Sequence, residues 1–297
     1  MNNVIEQFNN LILEKKIKSI NNAAKAMDVS SSSLSQYLNG KYGGDSVKIE
    51  AKVLSFMQLI KERELNCDDE ISFIEGLKNT QMILDVVRLA HIRKTIGLIT
   101  GRAGFGKTLA LKNYCRKNPD AIYIEVDNAF NAKELMKEIN AKCGFYGVGQ
   151  LNKLKNQVIE KLAGTGRVII IDQAEYLNDR ALDLLRTVYD RANVGLVLSG
   201  LPVLLSNIKG TNGIHEQVYT RIGVALQLEP PSVEDLKKLI GTYIKSSIEL
   251  DSAFITESRR NPRVLYILIR ESKRIAKNKG IPINPDIVRV ASRQLVR

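Results

Sequence analysis

The chain has 297 residues, 44% of them hydrophobic, which excludes a disordered protein and leaves room for two domains. Only 6% are aromatic and none is Trp, so a core has to be built from Ile, Leu, Val and Ala. A formal charge of +12 points to an acidic partner, of which nucleic acid is the commonest. Cys67, Cys115 and Cys143 have no paired spacing, and His91 and His215 stand alone. They support neither a disulfide framework nor a zinc site, and imply reduced thiols in a cytoplasmic protein. The opening Met1-Asn2-Asn3-Val4-Ile5-Glu6 lacks the order of a signal peptide, and no apolar run approaches a membrane span.

Val4, Ile5, Phe8, Leu11 and Ile12 recur at helical spacing and predict an opening amphipathic helix. A short helix follows from Ile20 to Met27 with Ala23, Ala24 and Met27 inward. Asp28-Val29-Ser30 predicts a turn, and Ser31–Leu38 a third helix anchored by Leu34 and Leu38. After Gly40, Gly43 and Gly44, the spacing predicts a helix from Ser46 to about Arg63 through Val47, Ala51, Leu54 and Met57. Glu64–Glu70 is polar and reads as a linker. Beyond it, β-branched runs alternate with helical stretches: Ile96–Thr100, Ile122–Val126, Val168–Ile171, Leu196–Ser199 and Val224–Leu228. That alternation predicts a parallel sheet covered on both faces. Pro230-Pro231 ends it, and the remainder reads as helices.

Gly101-Arg102-Ala103-Gly104-Phe105-Gly106-Lys107-Thr108 fits G-x-x-x-x-G-K-[ST], directly after one predicted strand and before a helix beginning Leu109-Ala110-Leu111. Glycines let backbone N–H groups wrap a phosphate, and the helix N-terminus adds a favourable dipole. Gly101 through Leu109 is therefore the candidate ATP-binding segment, with Lys107 on the β- and γ-oxygens and Thr108 on Mg²⁺. The apolar run Val168–Ile171 ends in Asp172, a carboxylate delivered beside the phosphates and a second Mg²⁺-side ligand.

With these motifs the chain resembles the AAA+ ATPases, and over most of its length the phage Mu B-type transposition activators and related helper ATPases. The resemblance implies an α/β P-loop domain with a five-stranded parallel sheet at 67–229 and a helical lid with a basic tail at 230–297. It also implies an all-α helix-turn-helix domain at 1–66. It makes Ser199, at the end of Gly195-Leu196-Val197-Leu198-Ser199, a sensor, with a strand-end cap as the alternative. It makes Arg221, before the last strand, an arginine finger acting on a neighbouring subunit, against a plain surface charge. Arg263, after Asn261-Pro262, becomes the lid residue that reads the nucleotide, against mere membership of the basic tail. The pattern also implies Glu directly after the strand-end Asp, as base for the attacking water, but here Gln173 follows Asp172. Gln173 can hold water but cannot accept a proton. Either the chain is a slow ATPase, or Gln173 is an introduced residue that traps the ATP state. Glu175 is a substitute base only if the loop turns it inward, whereas a strand exit points it elsewhere.

Two segments suit DNA. Ile20–Leu38 has helix-turn-helix form, similar to the N-terminal module of the Mu B-type proteins. Its third helix offers Ser32, Ser33, Ser35 and Gln36 to base edges and phosphates, with Lys41 in the turn that follows. A protein dock is the alternative, because residues 1–66 carry nine Lys/Arg against seven Asp/Glu. From Arg259 to Arg297, eleven Lys/Arg face only Glu271 and Asp286. Within that tail Arg270, Lys273, Arg274 and Lys277 share one helix face, opposite Leu265, Leu268, Ile269, Ser272, Ile275 and Ala276. Such a stripe suits a phosphate backbone and has no base-reading character. The resemblance implies ATP-dependent rings or filaments on duplex DNA and delivery of that DNA to a transposase. A helicase loader or replication initiator shares the core, and an ATP-gated transcription regulator shares the helix-turn-helix.

Overall fold

The computed structural model describes residues 2–14, 16–66, 73–209 and 216–295. The chain divides into two compact units, Met1–Glu70 and Ile71–Arg297. Cys67 and His215 lie outside the described residues, as do residues 67–70 of the expected linker, whereas its residues 64–66 are the last of a helix and not linker.

The first unit is four helices: α1 (Asn2–Leu13), α2 (Ile20–Ala26), α3 (Ser31–Leu38) and α4 (Ser46–Asn66). Ser19 and Ser30 cap α2 and α3, accepting from Asn22 N and Ser33 N at 3.2 and 3.0 Å. A serine hydroxyl there satisfies an N–H that the first turn leaves unpaired. Phe8, Ala23, Ala24, Leu34 and Val53 form the core, and Val29 packs against it from the turn. Two expectations need correction. In α3 the second buried anchor is Tyr37, while Leu38 is only partly buried. In α4 the inward face is Ile49, Val53, Met57 and Ile60, whereas Val47 is 75% and Leu54 46% exposed.

The second unit opens with α5 (Lys78–Arg93) and continues as β1 (Ile96–Thr100), α6 (Lys107–Lys117), β2 (Ala121–Glu125), α7 (Ala132–Lys142), α8 (Leu151–Leu162) and β3 (Val168–Asp172). A 3₁₀ turn at Ala174–Tyr176 leads to α9 (Asp179–Ala192), β4 (Gly195–Gly200), α10 (Val203–Lys209), α11 (Glu216–Tyr219) and β5 (Ile222–Gln227). The strands form one parallel sheet in the order β2-β3-β4-β1-β5. β1, β3 and β4 are buried along their whole length, as expected of strands covered on both faces. One apolar layer joins the sheet to α7, α8 and α9, and the other joins it to α5 and α6.

Helix α5 lies close to the sheet because Gly97 and Gly195 have no side chain beneath it. A Cβ at Gly195 would stand 2.6 Å from the Ala90 carbonyl oxygen, and one at Gly97 would stand 3.1 Å from Val86. The segment expected as a lid is α12 (Val233–Tyr243), α13 (Ile248–Glu257), α14 (Pro262–Lys279) and α15 (Pro285–Gln294). Its own core includes Leu236, Phe254, Leu265, Leu268 and Val288. The face of α14 expected to be apolar is buried at all six positions. On the other face Arg274 and Arg270 flank Glu271, at 2.7 and 3.7 Å, so part of the positive stripe is internally neutralised. No helix among the described residues is long and apolar enough to cross a membrane.

Crowding at Gly195 gives a stability prediction. Gly195→Ala forces α5 off the sheet and should cost about 1–3 kcal/mol. The readout is a lower urea midpoint at unchanged slope. An unchanged midpoint contradicts the close approach of α5.

Candidate functional site

The chain leaves β1 at Thr100 and passes through Gly101–Gly106 into α6. Gly104 and Gly106 adopt φ of +85° and +89°, a region glycine enters without steric cost. The turn they make aims the first N–H groups of α6 into the loop, an arrangement suited to anions. Lys107 folds over it, donating from Nζ to Gly101 O at 2.6 Å and to Arg102 O at 3.2 Å. Burial lowers the Lys107 pKa, and the nearby Arg263 charge adds to the lowering against the opposing pull of Asp172 and Glu175.

Asp172 closes the site from β3. It is 1% exposed and accepts four hydrogen bonds: Thr108 Oγ1 at 2.6 Å and Tyr123 hydroxyl at 3.1 Å on Oδ2, Ser199 Oγ at 3.0 Å and Gln173 N at 3.1 Å on Oδ1. A buried carboxylate is tolerated only when so satisfied. Thr108 and Asp172 together offer hard oxygens. Mg²⁺ accepts a few such protein ligands and takes the rest from phosphates and water. No group of three or more His, Cys, Asp or Glu that could hold a metal ion occurs among the described residues. Ser199 is fully buried behind Asp172, which it holds.

A cavity of about 620 Å³ joins the loop to the lid. Ala103–Ala110, Asp172, Gln173, Glu175 and Arg263 line its polar end, and Phe73, Ile74, Leu77, Tyr243 and Tyr266 its apolar end. Glu175 thus faces inward, contrary to the strand-exit expectation, with Oε2 accepting from Leu201 N at 3.1 Å. The turn that brings it there starts at Gln173, whose φ is +59°. Sequence reasoning missed the apolar wall, whose residues come from three separated segments. It also missed Lys112, Tyr123 and Glu125, which bond to one another beside Asp172.

The AAA domain family matches residues 91–208. The fold is that of an AAA+ P-loop domain. Over 292 residues the chain is 24% identical to the ATP-dependent target DNA activator B of Escherichia phage Mu, covering 96% of this chain and 92% of that one. The Mu-like prophage FluMu DNA transposition protein B of Haemophilus influenzae is 27% identical over 192 residues, 63% of this chain and 66% of its own. Among solved structures, the Aeropyrum pernix ORC2 protein superposes with a TM-score of 0.61 at 16% identity, covering 79% of this chain and 72% of that one. The chain resembles the Mu B-type activators over most of its length.

The other residues singled out from the sequence divide by position. Asn261 caps α14 through Oδ1, accepting from Arg263 N at 3.0 Å, and reaches the phosphate loop by donating to Ala103 O at 2.9 Å. That brings Arg263 to the cavity. Arg221 is elsewhere: it precedes β5, whose first residue pairs with Ile96, whereas the phosphate loop leaves the far end of β1. Four residue steps along the strand separate those ends by roughly 13 Å. Arg221 pairs with Asp190 of α9 at 2.8 Å. In the first unit, Ser32 and Gln36 are exposed, Ser33 and Ser35 half-buried, and Lys41 exposed. The hydroxyls of Ser32 and Ser33 lie 2.9 and 2.7 Å from that of Ser30.

The lid contact is testable at Gly104. A Cβ there would overlap Asn261 Oδ1, on a backbone that disfavours any side chain. Gly104→Ala should weaken ATP binding at least tenfold in calorimetry while the circular dichroism spectrum is unchanged. Normal affinity would mean that neither the loop geometry nor the Asn261 contact matters.

Proposed function

We propose that the chain is an ATPase that assembles on duplex DNA and delivers it to a transposase. The supporting observation is the joint geometry of Lys107, Thr108 and Asp172 with Arg263 at one cavity, in a chain similar along most of its length to a target DNA activator. Lys107 and the α6 N-terminus bind the β- and γ-phosphates, Thr108 and Asp172 hold Mg²⁺, and Arg263 reads the phosphate from the lid. Mg²⁺, when bound, neutralises charge on the phosphates. In hydrolysis a water oxygen bonds to the γ-phosphorus, and ADP leaves with the electron pair of the broken P–O bond. Both protons of the water leave with the phosphate, released as dihydrogen phosphate. Gln173 orients that water without accepting its proton, which makes turnover slow, and Ser199 acts through Asp172.

Arg221 stands at the sheet end opposite its own cavity. A subunit therefore needs a neighbour's Arg221, so that ATP couples binding to assembly. DNA contacts fall to Ser32, Ser33, Ser35, Gln36 and Lys41 in a helix-turn-helix unit, and to Arg270, Lys273, Arg274 and Lys277 on α14. The latter group tracks phosphates without reading sequence.

Electron microscopy of the protein with ATP and long duplex DNA tests this reading. The expected result is an ordered oligomer on DNA with the unmutated chain and none with Arg221→Ala, which still binds ATP. Arginine fingers contribute about 10³–10⁵ in rate, so hydrolysis by Arg221→Ala should fall as well. Unchanged assembly and turnover would remove Arg221 from the site.

A further inference from the structure

We infer that Glu125 is a positioning residue for ATP hydrolysis, fixing the amide of Gln173 so that its carbonyl oxygen is the end presented to the attacking water. This inference rests on ATP hydrolysis at the cavity. It concerns the place where the chain departs from the acid expected after Asp172.

The geometry begins with strand register. β2 and β3 pair in parallel with Glu125 opposite Asp172, so two carboxylates end adjacent strands. Tyr123 stands between them, donating to Asp172 at 3.1 Å and lying 3.3 Å from Glu125. Lys112 of α6 donates to Glu125 Oε2 at 2.8 Å. Its hydrogen bond is the main reason that the Glu125 pKa is lowered, so this group is a firm anion. Gln173 follows Asp172 in a left-handed conformation, and its Nε2 donates to Glu125 Oε1 at 2.7 Å.

The contact dictates which way the amide faces. An ionised carboxylate only accepts, so the NH₂ end of Gln173 must turn to Glu125 and the Oε1 end away from it. Gln173 lines the cavity, so the oxygen turned away is available to a water there. Without Glu125 the amide has no reason to prefer one face, and its NH₂ end could meet the water instead. A glutamine held in the right sense orients an attacking water in other nucleotide hydrolases. Glu175 lines the same cavity, but one of its oxygens is committed to Leu201 N.

A pair that acts as one unit gives a non-additive mutant cycle. With the full chain, Mg-ATP and duplex DNA, Glu125→Ala and Gln173→Ala should each lower kcat by about 10²-fold, the scale of misplacing a reactant. KM for ATP should stay constant, and the double variant should be no slower than either single one. Two multiplying effects, or a normal kcat in Glu125→Ala, would overturn the inference while leaving ATP hydrolysis intact. Absence of turnover in the unmutated chain would remove both.

A polarity swap covers the case in which Glu125→Ala fails to fold. Gln173→Glu alone sets two carboxylates against each other, with Lys112 and Tyr123 beside them, so the new side chain is pushed off Glu125. Adding Glu125→Gln restores a donor–acceptor contact of reversed sense, and kcat of the swapped variant should exceed that of Gln173→Glu at the same pH. Equal kcat for the single and swapped variants would also overturn the inference.

Discussion

The second unit depends on one buried carboxylate. Asp172 sits at 1% exposure at the end of a strand with no polar residue before it. Its charge is tolerable only because four donors reach it, from α6, β2, β4 and its own following residue. Each donor fixes an element. Thr108 fixes the register of the phosphate-loop helix, Ser199 the end of β4, and Tyr123 the end of β2. The sheet order places β2 and β4 on either side of β3, which is why both neighbours can reach it. Each oxygen takes two of them, so removing one donor deletes a hydrogen bond to a charged group, at about 1.5–3 kcal/mol.

From that point the site extends in two directions. Toward the lid, Asn261 ties the first turn of α14 to the phosphate loop, so Arg263 is set by the same residue that caps the helix. Asp235 of α12 makes a second tie, accepting from Lys78 N at 3.2 Å where α5 has no side-chain cap of its own. Toward the sheet edge, Tyr123 carries the network to Glu125, Lys112 and Gln173. The cavity is thus bounded by groups whose positions are linked through hydrogen bonds, and not by a flexible loop alone.

Much of this was legible in the sequence because it is written locally. Gly101–Thr108 carries its own turn chemistry, and the runs ending at Thr100 and Asp172 can only be buried strands. The face of α14 was legible for the same reason, since one apolar stripe dominates it. In α4 the stripe through Val47, Ala51 and Leu54 competes with another through Ile49, Val53 and Ile60. Packing against α1, where Phe8 meets Phe56, selects the second. The apolar wall of the cavity joins residues near 74, 243 and 266, which no local pattern connects. Glu125 was hidden because a charged strand-end residue usually faces solvent, and only the β2–β3 register sets it opposite Asp172.

The central claim is that Asp172 turns a phosphate-binding loop into a Mg²⁺-dependent site. The most direct measurement is ATP affinity with and without Mg²⁺ in Asp172→Asn, an amide of the same shape. The account predicts that Mg²⁺ tightens ATP binding in the unmutated chain, and that this gain disappears in the variant while Mg²⁺-free binding persists. An equal Mg²⁺ gain in both proteins would contradict it.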